Sequence, residues 1–327
     1  SRDWRVLTIG ECLWDGLPSG CFLGGAPLNV AAHLAARGAK AKFAAAVGDD
    51  RLGKDALRRL HLLGVDTSCV QVVPGLETGF VTAELDADGC ATYTFVTPAA
   101  WDALAADDPT LLAAAADTDA LVFGTLSQRD PRTRAAVKQA VGVARAAGAL
   151  VAYDVNLRPP HTPPQLIVES CGYGVDLLKL NNEEVETVAR ALGCDAGVRY
   201  AREADAAAGR PDAAEALVCA AGAIADAVGA QAVVITRGPE GAVMSECTGG
   251  DVQECAGYVA PQVADTVGAG DAFLAAFLLE RLRGAPAPAA LKQACRLGAY
   301  VASMPGATPQ IDEVQLAMLQ ARAAAAG

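Results

Sequence analysis

The residues best suited to chemistry lie late in the chain, in the segment DTVGAGDAF at 265–273. It runs into LAAFLLERLRG, whose apolar spacing predicts a helix closing at Gly284. Small residues ahead of a helix leave its first amides, which have no partner inside the helix, open to a ligand, and the helix dipole favours an anion there. Gly268, Ala269 and Gly270 would form that site. Asp271 falls in the first turn, close to the anion and itself negative, so it needs another task. Accepting a proton from an attacking hydroxyl is such a task, and phosphoryl transfer is the chemistry that combines the two. A first-turn acid that only complements the helix dipole is the plain alternative.

A second segment, GGAPLNVAAHLAARGAKAKFAAAVG at 24–48, has a different character. Paired glycines let backbone approach a bound molecule, and Asn29 offers both a donor and an acceptor suited to hydroxyls. The alternative is a helix entrance with Asn29 as a local cap. Between strand and helix, GDDRLGK at 48–54 fits the G-x-x-x-x-G-K phosphate loop, but Asp55 follows where Ser or Thr is required. A carboxylate there loses the hydroxyl that ligates magnesium and sets negative charge against phosphates, which argues against a phosphate loop. A dinucleotide fold fares no better, because GAG at 268–270 lacks the third glycine and stands near the end of the chain.

These segments need elements to hold them. RVLTIG, AKFAAAVG, ALVFG, LVAYDVN, DLLKLN and AVVITRG read as strands, alternating with amphipathic runs such as NVAAHLAARG and KDALRRLHLLG. That alternation predicts an α/β fold with a parallel sheet between helices, whose ligands gather at the carboxyl ends of strands. Helix stops are expected at Gly38, Gly64, Gly148 and Gly284. Residues 79–85 and 90–96 alternate in character around Asp88-Gly89, as an antiparallel hairpin does; it reads as a small β lid, with a plain edge hairpin as the alternative. An Ala-rich, charged stretch at 194–211 lacks firm periodicity and reads as a surface insertion.

With 327 residues, 52% of them apolar, the chain can bury a large core, and one large domain is expected. A formal charge of −12 argues against a nucleic-acid or anionic-membrane partner, both of which need a cationic field. No apolar run approaches the roughly 20 residues of a bilayer span and no basic, apolar leader opens the sequence, so it reads as soluble and cytoplasmic. The ten cysteines show no CxxC pair and no zinc-site cluster, and read as reduced. His33, His61 and His161 stand alone, with no nucleophile motif near them.

DTVGAGDAFLAAFL resembles the C-terminal signature of the ribokinase (PfkB) family of carbohydrate kinases, and residues 24–48 resemble its N-terminal signature. Both stand in the expected order with strand and helix patterns between them, so the resemblance covers nearly the full length. It implies a Rossmann-like three-layer sandwich with a mainly parallel central sheet, and a β-sheet lid from about residues 12–24 and 76–100. It also implies ATP as donor, Mg2+ and a sugar or nucleoside hydroxyl as acceptor, with the lid closing to expel water. Asp271 becomes the catalytic base, beside the Gly268, Ala269 and Gly270 amides that stabilise the transferring phosphoryl group. Asp15, in GECLWDGLP, together with Gly24, Gly25 and Asn29, becomes the sugar side, while Trp14 reads as packing. Asn181-x-x-Glu184 resembles the family's NxxE motif, which organises magnesium through water; a capped helix start is the alternative. Asn156 and Arg158, in YDVNLRPP, would meet phosphates, Arg158 bidentately. Thr236, Gly238 and Gly241 resemble the nucleotide-side turn, with a hairpin turn as rival. A monovalent-cation (K+) site at Asp265 and Val267 and a homodimer through the lid belong to the same resemblance. GECLWDGLPSG and TPAAWDAL are most similar to bacterial-type fructokinases, which makes fructose the first acceptor to consider; 2-keto-3-deoxygluconate, ribose and nucleosides share the scaffold. A sugar-binding protein that has lost phosphotransfer is the different-class alternative.

Overall fold

The computed structural model describes residues 2–17, 20–85, 91–207, 212–246, 253–260 and 262–321. The Asp88-Gly89 turn lies outside them. The chain divides into two compact units, Ser1–Ala149 and Leu150–Gly327.

In the first unit, strands that are apolar at nearly every position are buried on both faces, the pattern of a helix-covered parallel sheet. With β1 (Arg5–Ile9), β2 (Leu13–Leu17), β3 (Gly20–Gly24), β4 (Lys40–Gly48), β5 (Asp66–Val73), β6 (Gly79–Leu85), β7 (Ala91–Phe95) and β8 (Ala120–Gly124), the parallel order is β8-β1-β4-β5. Helices α1 (Ala26–Ala36), α2 (Arg51–Leu62), α3 (Pro109–Ala116) and α4 (Pro131–Ala146) accompany it. The remaining strands form a separate four-stranded sheet, β3-β2-β6-β7, with antiparallel outer pairs and a parallel central pair. Trp14 on β2 is 4% exposed, gives its indole N–H to Leu52 O at 3.1 Å and lies under Arg59, so it packs the unit.

The start of α2 settles the phosphate-loop decoy. Asp50 caps the helix, its carboxylate accepting from Gly53 N at 2.7 Å and from Thr78 N and Oγ1 at 2.8 and 2.7 Å. Lys54 points to Asp49 at 2.9 Å with its side chain 72% exposed. A phosphate loop needs those amides and that ammonium for a ligand; here they serve a cap and a surface ion pair. Deeper in this unit Arg129 forks onto Asp102, Nε to Oδ1 at 2.8 Å and Nη2 to Oδ2 at 2.7 Å, and stacks 3.8 Å over Trp101. Asp102 also accepts from Ala99 N, and Arg129 Nη2 also donates to Val96 O.

The second unit contains β9 (Leu150–Asp154), β10 (Leu177–Asn181), β11 (Ala232–Thr236), β12 (Gly241–Glu246) and β13 (Gln253–Ala256), in the order β13-β12-β11-β10-β9. The β9-β10 and β10-β11 pairs are parallel, and β12 and β13 join antiparallel. Its helices are α5 (Pro164–Cys171), α6 (Val185–Ala191), α7 (Asp195–Ala206), α8 (Asp212–Val228), α9 (Ala269–Leu282), α10 (Ala287–Ala302) and α11 (Glu313–Met318). Helix α7 supplies the periodicity that 194–211 was expected to lack, residues 208–211 lying outside the described ones. Gly197, Ala201 and Ala204 repeat at helical spacing and are buried, while Arg199, Glu203 and their neighbours face water. A buried stripe made only of small residues carries too little hydrophobic contrast to stand out in an Ala-rich sequence. Gly38, Gly64, Gly148 and Gly284 all have φ between +76° and +85°, the left-handed closure expected of them. Among the described residues, no helix is long and apolar enough to cross a membrane.

Candidate active site

In the second unit, α9 begins at Gly268, which is left-handed at φ 79° and packs so closely that a Cβ there would lie 2.5 Å from Ala307 O. Only glycine meets both demands. The Ala269 amide donates to Thr266 O at 3.3 Å, and Ala272 N closes the first turn on Gly268 O at 2.8 Å. Asp271 follows in the first turn, 8% exposed. Just upstream the Val267 amide donates to the Asp265 carboxylate at 3.0 Å, and Val267 itself is exposed.

Under this turn lies a residue that the sequence reading passed over. Lys179, in the middle of β10, is 6% exposed and donates to both oxygens of Asp154 at 3.0 Å. Parallel register sets the two side by side on β10 and β9. A Cβ on Gly270 would sit 3.1 Å from the Lys179 Nζ. Burial alone would push this ammonium down; the charges of Asp154, Asp271 and Glu184 more than offset it and hold the pKa above the ordinary lysine value. A lysine inside the apolar run LLKLN and an aspartate ending LVAYD were the signals available in the sequence.

Asn181 and Glu184 realise the capped helix start. Asn181 Oδ1 accepts from Glu184 N at 3.0 Å, and the Glu184 carboxylate accepts from Asn181 N at 2.9 Å and Leu157 N at 2.6 Å. Burial pushes the Glu184 carboxyl up, against the pull of those amides and of Lys179 and with the Asp154 charge adding to it. Leu157 reaches Glu184 because Asn156 turns the chain out of β9 at φ 39°, a left-handed conformation that Asn tolerates better than most residues. Arg158 is exposed, its guanidinium turned back to Leu157 O at 2.8 Å. Thr236 ends β11 in register with Asn181. Gly238 and Gly241 belong to the turn joining antiparallel β11 and β12, so the hairpin reading of that segment is the observed geometry.

The predicted sugar-side residues all lie in the first unit. Asp15 on β2 lies against Gly24, where a Cβ would come 2.5 Å from its Oδ2. Gly25, at φ 124°, leads into α1 with no room for a side chain beside Glu11 O. Asn29, one helical turn on, is 3% exposed. Glu11, also 3% exposed, was not foreseen; its Oε1 accepts from Ala26 N at 3.0 Å at the start of α1. Its signal was an acid between a buried strand and a glycine pair.

Among the described residues, no group of three or more His, Cys, Asp or Glu side chains is arranged to hold a metal ion. The donors near α9 are carboxylates engaged by backbone amides and Lys179. That set suits a magnesium ion that keeps most of its water, which needs few protein ligands, and not a cage of direct ones.

The model of the pfkB family of carbohydrate kinases matches residues 20–313. Fructokinase-2 of Solanum lycopersicum is 30% identical over 202 residues, 57% of this chain and 62% of the relative, so the match spans less than two thirds of that protein. Among solved structures, the 2-dehydro-3-deoxygluconokinase of Thermotoga maritima aligns with a TM-score of 0.79 at 20% identity, covering 96% of this chain and 98% of the other. An E. coli chain assigned as ribokinase II, solved with ATP and Mg2+, aligns with a TM-score of 0.73 at 23% identity, covering 93% and 94%. At such identities these two structures speak to the fold.

Proposed function

Starting from a chain that belongs to the pfkB family of carbohydrate kinases, we propose that it transfers the γ-phosphoryl group of ATP to a hydroxyl of a sugar, with D-fructose as the acceptor. The observation that carries this reading is the start of α9: a left-handed glycine opens the helix, and a nearly buried Asp271 stands in its first turn. The amides of Gly268, Ala269 and Gly270 face the negative charge of the phosphates, and the helix dipole adds to their attraction. Asp271 accepts the proton of the sugar hydroxyl as its oxygen bonds to the γ-phosphorus and the bond to the ADP oxygen breaks. Charge on the transferring group is met by donors already in place, which lowers the cost of reorganisation.

Glu184 would hold magnesium through water, and magnesium when bound neutralises polyphosphate charge. Asn156, Arg158, Asn181, Thr236, Gly238 and Gly241 make up the nucleotide side of this reading, and Asp265 with Val267 the site of a monovalent cation. Asp15, Gly24, Gly25 and Asn29 take the sugar's other hydroxyls, Asn29 with its paired donor and acceptor. Fructose is supported by the fructokinase relatives, one of them 30% identical. ADP release from MgATP, measured separately with fructose, ribose, 2-keto-3-deoxygluconate and adenosine, tests the proposal. A fructose-dependent signal is expected; faster turnover of another acceptor reassigns the substrate, and silence with all of them removes the kinase reading.

A further inference from the structure

An ammonium is expensive to bury, and a simple counterion pair would need one carboxylate. Lys179 contacts Asp154 on β9, and the charges of Asp271 on α9 and Glu184 after β10 act on it as well. Asp154 takes two of its three protons, at 3.0 Å each. On the other side the ammonium lies against Gly270, the one residue of the turn whose side chain would have to occupy the 3.1 Å beside Nζ. Glycine at 270 thus fits the close approach of the Lys179 ammonium from within.

We propose that Lys179 is a positioning residue of the turn that opens α9: anchored on Asp154, its ammonium holds Gly270 and the carboxylate of Asp271 in place from beneath. Without that charge, the buried carboxylates of Asp154, Glu184 and Asp271 lose the one ammonium whose charge they share, and Asp271 must move towards water or hold a proton, either of which removes it from its task. What the turn does rests on the sugar-kinase reading above; where the ammonium sits does not.

The test compares wild type, Lys179→Met and the double variant Asp154→Asn/Lys179→Met. Two readouts are taken, steady-state kinetics and hydrogen–deuterium exchange of the peptide covering residues 265–275. Lys179→Met should lower kcat about a hundredfold, the usual scale for losing one preorganised electrostatic group, while the KM values for fructose and ATP change less than about threefold. Its 265–275 peptide should exchange faster, and its Tm should fall because Asp154 is left buried without a partner. In the double variant the Tm should recover, whereas kcat and the fast exchange should not. Recovery of both in the double variant would show that Lys179 serves only as the counterion of Asp154, and the proposal would be overturned. An unchanged kcat in Lys179→Met overturns it equally. If the single variant fails to fold, the double variant, which has no broken ion pair, carries the test. If wild type phosphorylates no acceptor, the kinase reading fails by itself, and the exchange arm still decides: fast exchange in the double variant supports positioning, and wild-type exchange refutes it.

Discussion

Among the described residues, each unit buries one well-made ion pair, and the two differ in their surroundings. Arg129 and Asp102 answer each other completely on the carboxylate side: two forked bonds, a further amide from Ala99, and an aromatic face under the guanidinium. Both carboxylate oxygens are committed to the guanidinium. Lys179 and Asp154 are held just as well, yet the charges of two more carboxylates act on the ammonium and it lies against Gly270 at the start of α9. A pair so committed serves to fix structure. A pair with further negative charge acting on it at a helix start is the arrangement that the proposed function uses.

The difference can be broken or sharpened by substitution. The largest effect is expected at the turn beside Lys179. Asp271→Ala should reduce kcat by about a hundredfold to ten-thousandfold, the span of a general base, with little change in the KM for sugar; near-normal turnover in a coupled ADP assay would end the proposed mechanism. Arg129→Met should instead act on stability, costing about 3–5 kcal/mol in denaturant unfolding because Asp102 stays buried and unpaired, while kcat per folded molecule holds. A loss of kcat without loss of stability would erase the contrast between the two pairs. Asn29→Ala belongs to the sugar side, so the KM for fructose should rise about tenfold, one good hydrogen-bonded contact, with the KM for ATP unmoved; the reverse pattern would place Asn29 with the nucleotide.

Smaller effects test the details. A carboxyl whose folded pKa is raised contributes stability that is complete below its unfolded value and is lost as pH rises through the folded value. Glu184 is such a group, with burial as the leading cause. Glu184→Gln cannot ionise, so in metal-free protein its Tm relative to wild type should climb as pH rises above the ordinary glutamate value. A difference independent of pH would mean that the carboxylate ionises there as freely as in water. The smallest change is expected for Lys54→Ala, less than about twofold in the KM for ATP, since an exposed ion pair with Asp49 contributes little. A large rise would restore the phosphate loop.

Much of this arrangement was legible without a structure. The strand runs, the glycine stops and the opening of α9 are local: two-residue and 3.6-residue periods and the need for a positive φ are written in adjacent residues. One helix stayed silent in the sequence, and one motif has two readings. Helix α7 is held by a stripe of glycine and alanine that barely differs from its surroundings, and Asn181 with Glu184 serves a helix cap as well as it would serve a metal.

The sequence by itself therefore determined the alternation of most strands and helices, the glycine stops, and the turn that presents Asp271, since each depends on neighbours along the chain. Only the tertiary structure decided which buried charges meet. Lys179 finds Asp154 across 25 residues, and Arg129 finds Asp102 across 27. A lysine in an apolar strand is a fault until register sets a carboxylate beside it, because the free energy of a buried charge is fixed by what surrounds it in space.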